Sequence, residues 1–93
     1  MSETICRNLR ISGRVQGVGY RWSLCAEAQR LGLCGWVRNR RDGSVEAMVA
    51  GDGAQIDEML AWSRIGPAGA AVDEVMVEGA SGCFAGFDSL PTA

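Results

Sequence analysis

The order in which strand-like and helix-like segments follow one another is the sequence feature that most constrains the fold. Apolar and polar residues alternate over residues 5–11, which predicts a first strand. Apolar residues then recur at helical spacing over residues 24–31, and Gly32 stands where a helix C-terminus favours glycine. The chain is therefore predicted to begin with a strand followed by a helix.

The middle of the chain predicts a β-hairpin. CGWVRNR and SVEAMVA are two strand-like runs, and the sequence RDG separates them. The Asp42-Gly43 pair favours a tight turn because glycine readily adopts the positive φ angle that such turns need. Strands two and three are therefore predicted to be neighbours.

The last third of the chain repeats the order of helix and strand. A second helix is predicted over residues 54–65, with Gly66-Pro67 as its stop. VDEVMVE predicts a fourth strand, and CFAGFDSL at most a short fifth, because glycine weakens strands. The order βαββαβ is that of an α+β, ferredoxin-like sandwich, with two helices on one face of a four- to five-stranded, mainly antiparallel sheet. Because 93 residues suit one small domain, residues 1–93 are expected to form a single unit.

Composition and charge exclude several kinds of partner. No apolar run approaches the ~20 residues of a membrane-spanning helix, so no membrane partner is expected. The first residues lack the apolar core of a signal peptide, which favours a cytoplasmic location. A formal net charge of −2 argues against nucleic acid, because phosphate backbones bind broad positive surfaces. We expect a monomer.

Four cysteines and the complete absence of histidine limit the available chemistry. None of the cysteines forms a C-x-x-C pair, so no metal site is expected, and free thiols in a reducing compartment are the preferred interpretation. Histidine is the usual general base near neutral pH. Any reaction must therefore proceed without it.

The stretch GRVQGVGYRWS, residues 13–23, is a glycine-rich segment directly before the first helix. Such a turn can present several backbone N–H groups together, an arrangement that suits a phosphate or another anion. Gly17 and Gly19 let the backbone approach an anion closely and adopt positive φ angles. A plain strand-to-helix turn is the alternative, and this segment alone does not decide between them.

Two segments together resemble the signatures of the acylphosphatase family. GRVQGVGYR is similar to G-x-V-Q-G-V-x-aromatic-R, and GWVRNRRDGSV is similar to G-aromatic-x-x-N-x-x-x-G-x-V. They occur in the family's order, and the resemblance extends from about Ile5 to Val77. It implies an enzyme that hydrolyses the carboxyl-phosphate bond of a small-molecule acyl phosphate to a carboxylate and inorganic phosphate, without metal or organic cofactor. The tail FAGFDSLPTA resembles the family less, and catalysis is expected not to depend on it.

The resemblance also implies which residues form the site. Arg21 would bind the substrate phosphate, and Asn39 would position the attacking water. The residues whose backbone would bind the phosphate with Arg21 are Gln16, Gly17, Val18, Gly19 and Tyr20. An acyl phosphate has a good carboxylate leaving group, so its cleavage needs charge stabilisation more than a general acid. Inorganic phosphate and sulfate are expected to bind the same loop.

Several other conspicuous residues are given structural roles. Val15, Val18 and Tyr20 are expected to anchor the loop by packing in the core. The tryptophans expected to pack in the core or between helices and sheet are Trp22, Trp36 and Trp62. The arginines expected at a solvated hairpin tip are Arg38, Arg40 and Arg41, because alternate strand residues point to opposite faces.

Two alternative functions stay open from the sequence. One is a non-catalytic ferredoxin-like module that keeps the anion loop and binds a phosphorylated metabolite without turning it over. The presence of both Arg21 and Asn39 favours the enzyme. The other is a resemblance to the acylphosphatase-like domain of the hydrogenase-maturation carbamoyltransferase, which would make carbamoyl phosphate the substrate.

Overall fold

The computed structural model describes residues 4–93 and confirms the predicted ferredoxin-like sandwich. The strands are β1 (Ile5–Arg14), β2 (Cys34–Asn39), β3 (Val45–Gly51), β4 (Ala71–Gly79) and β5 (Phe87–Ser89). The helices are α1 (Tyr20–Leu31) and α2 (Gly53–Ser63). One sheet of order β4-β1-β3-β2-β5 carries both helices on one face. Within the described range, no helix has the length and apolarity needed to cross a membrane.

The sheet is antiparallel except at one edge, where β5 runs parallel to β2. The pairing of β1 with β4 shifts register between Ser12 and Gly13. Gly13 has a φ of 119°, and a Cβ there would lie 2.3 Å from the carbonyl oxygen of Ala71. Only glycine fits this irregularity, which bends β1 just before the loop that leads into α1.

The core lies between the sheet and the two helices. Leu9 on β1 pairs with Ala47 on β3, which pairs with Val37 on β2, and all three are fully buried. Cross-strand partners share one face of a sheet, so this row forms the floor on which the helices pack. The helix residues buried against it are Tyr20, Leu24 and Ala28 of α1 and Ile56 and Met59 of α2.

The two helices differ at their N-termini. Asp52 caps α2, since its carboxylate accepts a hydrogen bond from the backbone N–H of Gln55, and the Gln55 side chain accepts one from the backbone N–H of Asp52. This capping box satisfies two donors. In contrast, α1 begins after Gly19, which has a left-handed conformation and offers no side-chain cap. The first N–H groups of α1 are therefore available to another acceptor.

The C-terminal tail lies along the outer side of β2. Leu90 donates a backbone hydrogen bond to Val37, and Ala93 donates one to the carbonyl of Asn39, at 2.8 and 3.0 Å. The carbonyl of Ala93 in turn accepts from the N–H of Arg41 at 2.9 Å. Catalysis was expected not to depend on this tail. Its hydrogen bonds nevertheless support the backbone on both sides of Arg40.

Candidate active site

The loop between β1 and α1 has the backbone shape predicted from its glycines. Gly17 and Gly19 have φ angles of 75° and 78°, and a Cβ at either position would meet no atom within 4 Å. Glycine is therefore favoured here for its backbone conformation, and both residues face open space. Val15 is buried and Val18 packs against the core, as predicted.

The side chain of Gln16 joins this loop to the β2–β3 hairpin. Its Nε2 donates hydrogen bonds to the backbone carbonyls of Arg40 at 2.6 Å and Ser44 at 2.8 Å. The side chain of Gln16 therefore holds the two signature segments together. The sequence predicted a role only for the backbone N–H of this residue. No periodicity or spacing indicates this contact, because it depends on how the hairpin packs beside the loop.

The loop contains several backbone donors without a protein partner among residues 4–93. Among residues 4–93, the backbone N–H groups of residues 16–19 donate to no protein acceptor. Together with the uncapped start of α1, they form a region of positive partial charge. Such a group of free N–H donors at a helix N-terminus is typical of an anion-binding site.

Arg21 and Asn39 line the same cavity at this loop. The cavity has a volume of about 330 Å³, and seven of its lining residues come from or directly flank the loop and one from β2. Those residues are Val15, Gln16, Gly17, Gly19, Tyr20, Arg21, Trp22 and Asn39. Of the predicted site residues, only Val18 does not line it, since its side chain packs against the core. The structure thus brings together two residues that lie far apart in the sequence.

Asn39 presents a buried acceptor without a partner. Its Oδ1 is shielded from solvent and, within the described residues, receives no hydrogen bond. Its backbone is fixed by pairing with Val45 and by the hydrogen bond from Ala93. Leaving a buried polar atom unpaired costs about 1–3 kcal/mol. An acceptor held in this position at such a cost suits a donor that enters with the substrate, such as a water molecule.

Arg21 forms no ion pair within the described part of the chain, whereas Arg38 and Arg40 do. Both of those guanidinium groups donate to Oε1 of Glu46, at 2.9 and 2.8 Å. The prediction of a solvated hairpin tip is therefore wrong for Arg38 and Arg40, which lie partly buried on the face of the sheet opposite the helices. Only Arg41 is exposed as predicted.

The three tryptophans also differ from one another. Trp62 packs against Tyr20 with ring centroids 5.4 Å apart, as predicted for a core aromatic. The prediction is wrong for Trp36, which lies under the guanidinium of Arg38 on the helix-free face of the sheet. It is also wrong for Trp22, whose surface is 75% exposed and which lines the cavity.

Tyr20 is a packing residue, as predicted, although it borders the cavity. It is 1% exposed, and its hydroxyl donates to the carbonyl of Ser63 at 2.6 Å. Burial raises the pKa of Tyr20 far above its ordinary value. The described lining of the cavity contains no carboxylate, thiol or imidazole. It therefore offers no side chain that transfers protons near neutral pH.

Glu46 makes the stability of the fold depend on pH. Burial alone would raise the pKa of Glu46, but the hydrogen bonds from Asn8, Arg38 and Arg40 outweigh it and hold this pKa below its ordinary value of 4.5. A carboxylate with a lowered folded-state pKa stabilises the fold above its unfolded-state pKa, and this contribution is lost as the pH falls through the folded-state value.

We expect Glu46→Gln to flatten the acid side of the stability curve. The free energy of unfolding of the parent should fall as the pH is lowered from about 4.5, and the variant should lose less over the same range. Urea denaturation at pH 7 and at several values below 4.5 measures both slopes. Equal slopes for parent and variant would contradict the assignment. Glu58→Gln is a matched control, because the Glu58 carboxylate is exposed and its nearest guanidinium nitrogen, from Arg30, lies 3.8 Å away.

A second, larger cavity does not suit a phosphate. It has a volume of about 560 Å³ and lies at the opposite end of β2, between Cys34, Cys6 of β1 and the segment 80–84. None of its described lining residues is charged. Among residues 4–93, no group of three or more cysteine, aspartate or glutamate side chains is arranged to hold a metal ion. The smaller cavity with Arg21 is therefore the better candidate site.

Comparisons with known proteins agree on one family. A model of the family described as acylphosphatase matches residues 7–88. A curated acylphosphatase from Azoarcus sp. (strain BH72) is 54% identical over 92 residues, which are 98% of this chain and 94% of that protein. The structure of an acylphosphatase from Coxiella burnetii superposes with a TM-score of 0.90 at 34% identity, covering 94% of this chain and 93% of that one.

A further structural neighbour is full-length HypF in its phosphate- and nucleotide-bound form. It superposes with a TM-score of 0.90 over 99% of this chain, but the match covers 12% of HypF at 24% identity. Structural similarity at this level of sequence identity shows a shared fold and does not indicate a shared substrate. Carbamoyl phosphate therefore gains no support from it.

Proposed function

Because this chain belongs to the acylphosphatase family and hydrolyses the carboxyl-phosphate bond of acyl phosphates, we propose that Arg21 and the loop of residues 16–20 bind the phosphate and that Asn39 orients the attacking water. One observation carries this assignment: in the part of the chain that the structure describes, Asn39 has a buried Oδ1 without a hydrogen-bond partner and lines the same cavity as Arg21, which forms no ion pair there.

Phosphate binding follows from the charges around the cavity. Arg21 offers a planar fork of N–H donors, and the loop and the start of α1 offer backbone donors on the same side. In phosphoryl transfer, negative charge spreads over the equatorial oxygens of the phosphoryl group. Donors that are already in place stabilise this charge without reorganising, and the positive end of the α1 dipole adds to their effect.

Water attack follows from the chemistry of Asn39. Its Oδ1 accepts a hydrogen bond from the water and directs a lone pair of the water oxygen at phosphorus, but an amide does not remove the proton. The bond from water oxygen to phosphorus forms, the bond from phosphorus to the acyl oxygen breaks, and the carboxylate leaves with the electron pair. The proton of the water passes to a phosphate oxygen, because no lining side chain is suited to accept it.

Inorganic phosphate and sulfate should inhibit competitively. If the loop is a preorganised anion site, either ion occupies the place of the substrate phosphate. Release of phosphate from benzoyl phosphate, measured at several concentrations of each ion, should give a raised KM and an unchanged kcat. A phosphomonoester serves as the control substrate and should be cleaved far more slowly, since its leaving group is poorer. Noncompetitive inhibition would place the phosphate site elsewhere on the protein.

The same assay separates the enzyme from the binding-module alternative. Rapid release of phosphate from benzoyl phosphate excludes a module that only binds a phosphorylated metabolite. A single-domain chain, a monomeric state and a cytoplasmic location stay predictions from the sequence.

A further inference from the structure

Trp22 is placed where an aromatic residue has no packing role of its own. It directly follows Arg21 on α1, and its 75% exposure contrasts with the partly buried Trp36 and Trp62. It nevertheless lines the phosphate cavity together with Arg21 and Asn39. An exposed indole that borders a binding cavity offers a flat apolar face on which part of a ligand can stack.

A second, open groove shares Trp22 with the phosphate cavity. It has a volume of about 290 Å³, and the residues that line it are Trp22, Cys25, Ala26, Gln29 and Ser89. Trp22, Ala26 and Gln29 follow one another at helical spacing on the exposed side of α1. Ser89 lies on β5, paired with Val37 of β2. The groove therefore runs between α1 and β5, and Trp22 is the residue that it shares with the phosphate cavity.

The groove has fixed walls and carries no charge. Nε2 of Gln29 donates to the carbonyl of Phe87 at 3.1 Å, which ties the α1 side to the β5 side. None of the lining residues is ionised at neutral pH. The pKa of the Cys25 thiol is raised, mainly by burial and to a smaller extent by the carboxylate of Asp88, so the thiol is protonated. An acyl group with a second negative charge would find no cation among the lining residues of this groove.

We propose that Trp22 and this groove form the acyl subsite, and that the subsite favours flat, apolar acyl groups such as aryl groups over short or anionic ones. This inference rests on the proposed function, which places the phosphate at Arg21. An acyl group that extends from a phosphate bound there on the α1 side passes over the indole. Stacking on the indole then contributes to substrate binding.

The test compares two substrates that differ only in the acyl group. Trp22→Ala should raise the KM for benzoyl phosphate roughly tenfold, because an aromatic pair contributes about that factor in binding. The KM for acetyl phosphate, whose methyl group does not reach across the ring, should change less than about twofold. For each substrate, turnover at saturation should be similar in Trp22→Ala and in the parent, because the contact is made equally in the ground state and the transition state. Trp22→Phe should retain most of the preference.

Two controls make the result specific. Ile65→Ala removes an apolar side chain of similar exposure that lines neither the cavity nor the groove, and it should leave both KM values unchanged. Competitive inhibition by inorganic phosphate should be the same in Trp22→Ala as in the parent. If phosphate still competes with the substrate in the parent, equal KM changes for the two substrates, or no KM change for benzoyl phosphate, would overturn the acyl subsite. Failure of phosphate to compete in the parent would instead overturn the proposed function on which the subsite rests.

Discussion

Arg21→Gln is expected to abolish nearly all turnover and to weaken competitive inhibition by inorganic phosphate. The guanidinium of Arg21 forms no ion pair within residues 4–93, so its hydrogen bonds are available to the phosphate in both the ground state and the transition state. A charge-assisted hydrogen bond of this kind contributes about 1.5–3 kcal/mol, which corresponds to roughly ten- to a hundredfold in the inhibition constant. Turnover falls further, because the charge on the phosphoryl oxygens is redistributed in the transition state.

Lysine at this position is expected to restore only part of the activity. Arg21→Lys keeps the positive charge but loses the planar fork that binds two phosphate oxygens at once. Kinetics of benzoyl phosphate hydrolysis and titration with phosphate measure both effects. Arg41→Gln is the matched control, since it removes the same charge from an exposed residue that does not line the cavity, and it should resemble the parent. If Arg21→Gln binds phosphate as tightly as the parent, the phosphate lies elsewhere.

Much of the fold could be predicted because local signals and the global arrangement agree. The Asp42-Gly43 turn fixes β2 and β3 as neighbours, and Gly43 has the positive φ angle expected, 94°. Gly32 ends α1 in the left-handed conformation, as its position predicted. These features depend on the conformational preferences of a few consecutive residues, so the sequence alone indicates them.

The position of Trp22 could not be read from the sequence in the same way. Helical spacing predicted a helix over residues 24–31, which left Trp22 outside it, whereas α1 begins at Tyr20. Tyr20 and Leu24 are buried one turn apart, so Trp22, about half a turn from either, faces outward. A shift of four residues in the start of one helix thus moves an aromatic residue from the predicted core to the mouth of the cavity.

The contacts that join the site also lie beyond the reach of sequence patterns. Gln16 binds the carbonyls of the hairpin, and Glu46 forms ion pairs with Arg38 and Arg40. Each contact depends on which side chains the sheet register brings together. The glycines, Arg21 and Asn39 were identifiable because the two signature segments contain them, and the partners that hold those segments in place were not.

Asn39→Ala is expected to lower turnover by about two orders of magnitude while leaving phosphate affinity within a few-fold of the parent. The size of the effect is that seen when one positioned polar group is removed from a site that stabilises a transition state. Phosphate affinity changes little because Arg21 and the loop donors, and not the amide of Asn39, bind the ground-state anion. Phosphate release kinetics and phosphate titration of the same preparation measure the two quantities.

The stability of Asn39→Ala distinguishes a role in positioning water from a structural role. Among residues 4–93 the side-chain Oδ1 is buried without a partner, so its removal takes away an unpaired polar atom that costs about 1–3 kcal/mol. The backbone hydrogen bonds at this position, to Val45 and from Ala93, do not involve the side chain and remain. The free energy of unfolding should therefore stay equal or rise while turnover falls. A loss of both would indicate a structural residue, and a folded variant with parental turnover would contradict water positioning by Asn39.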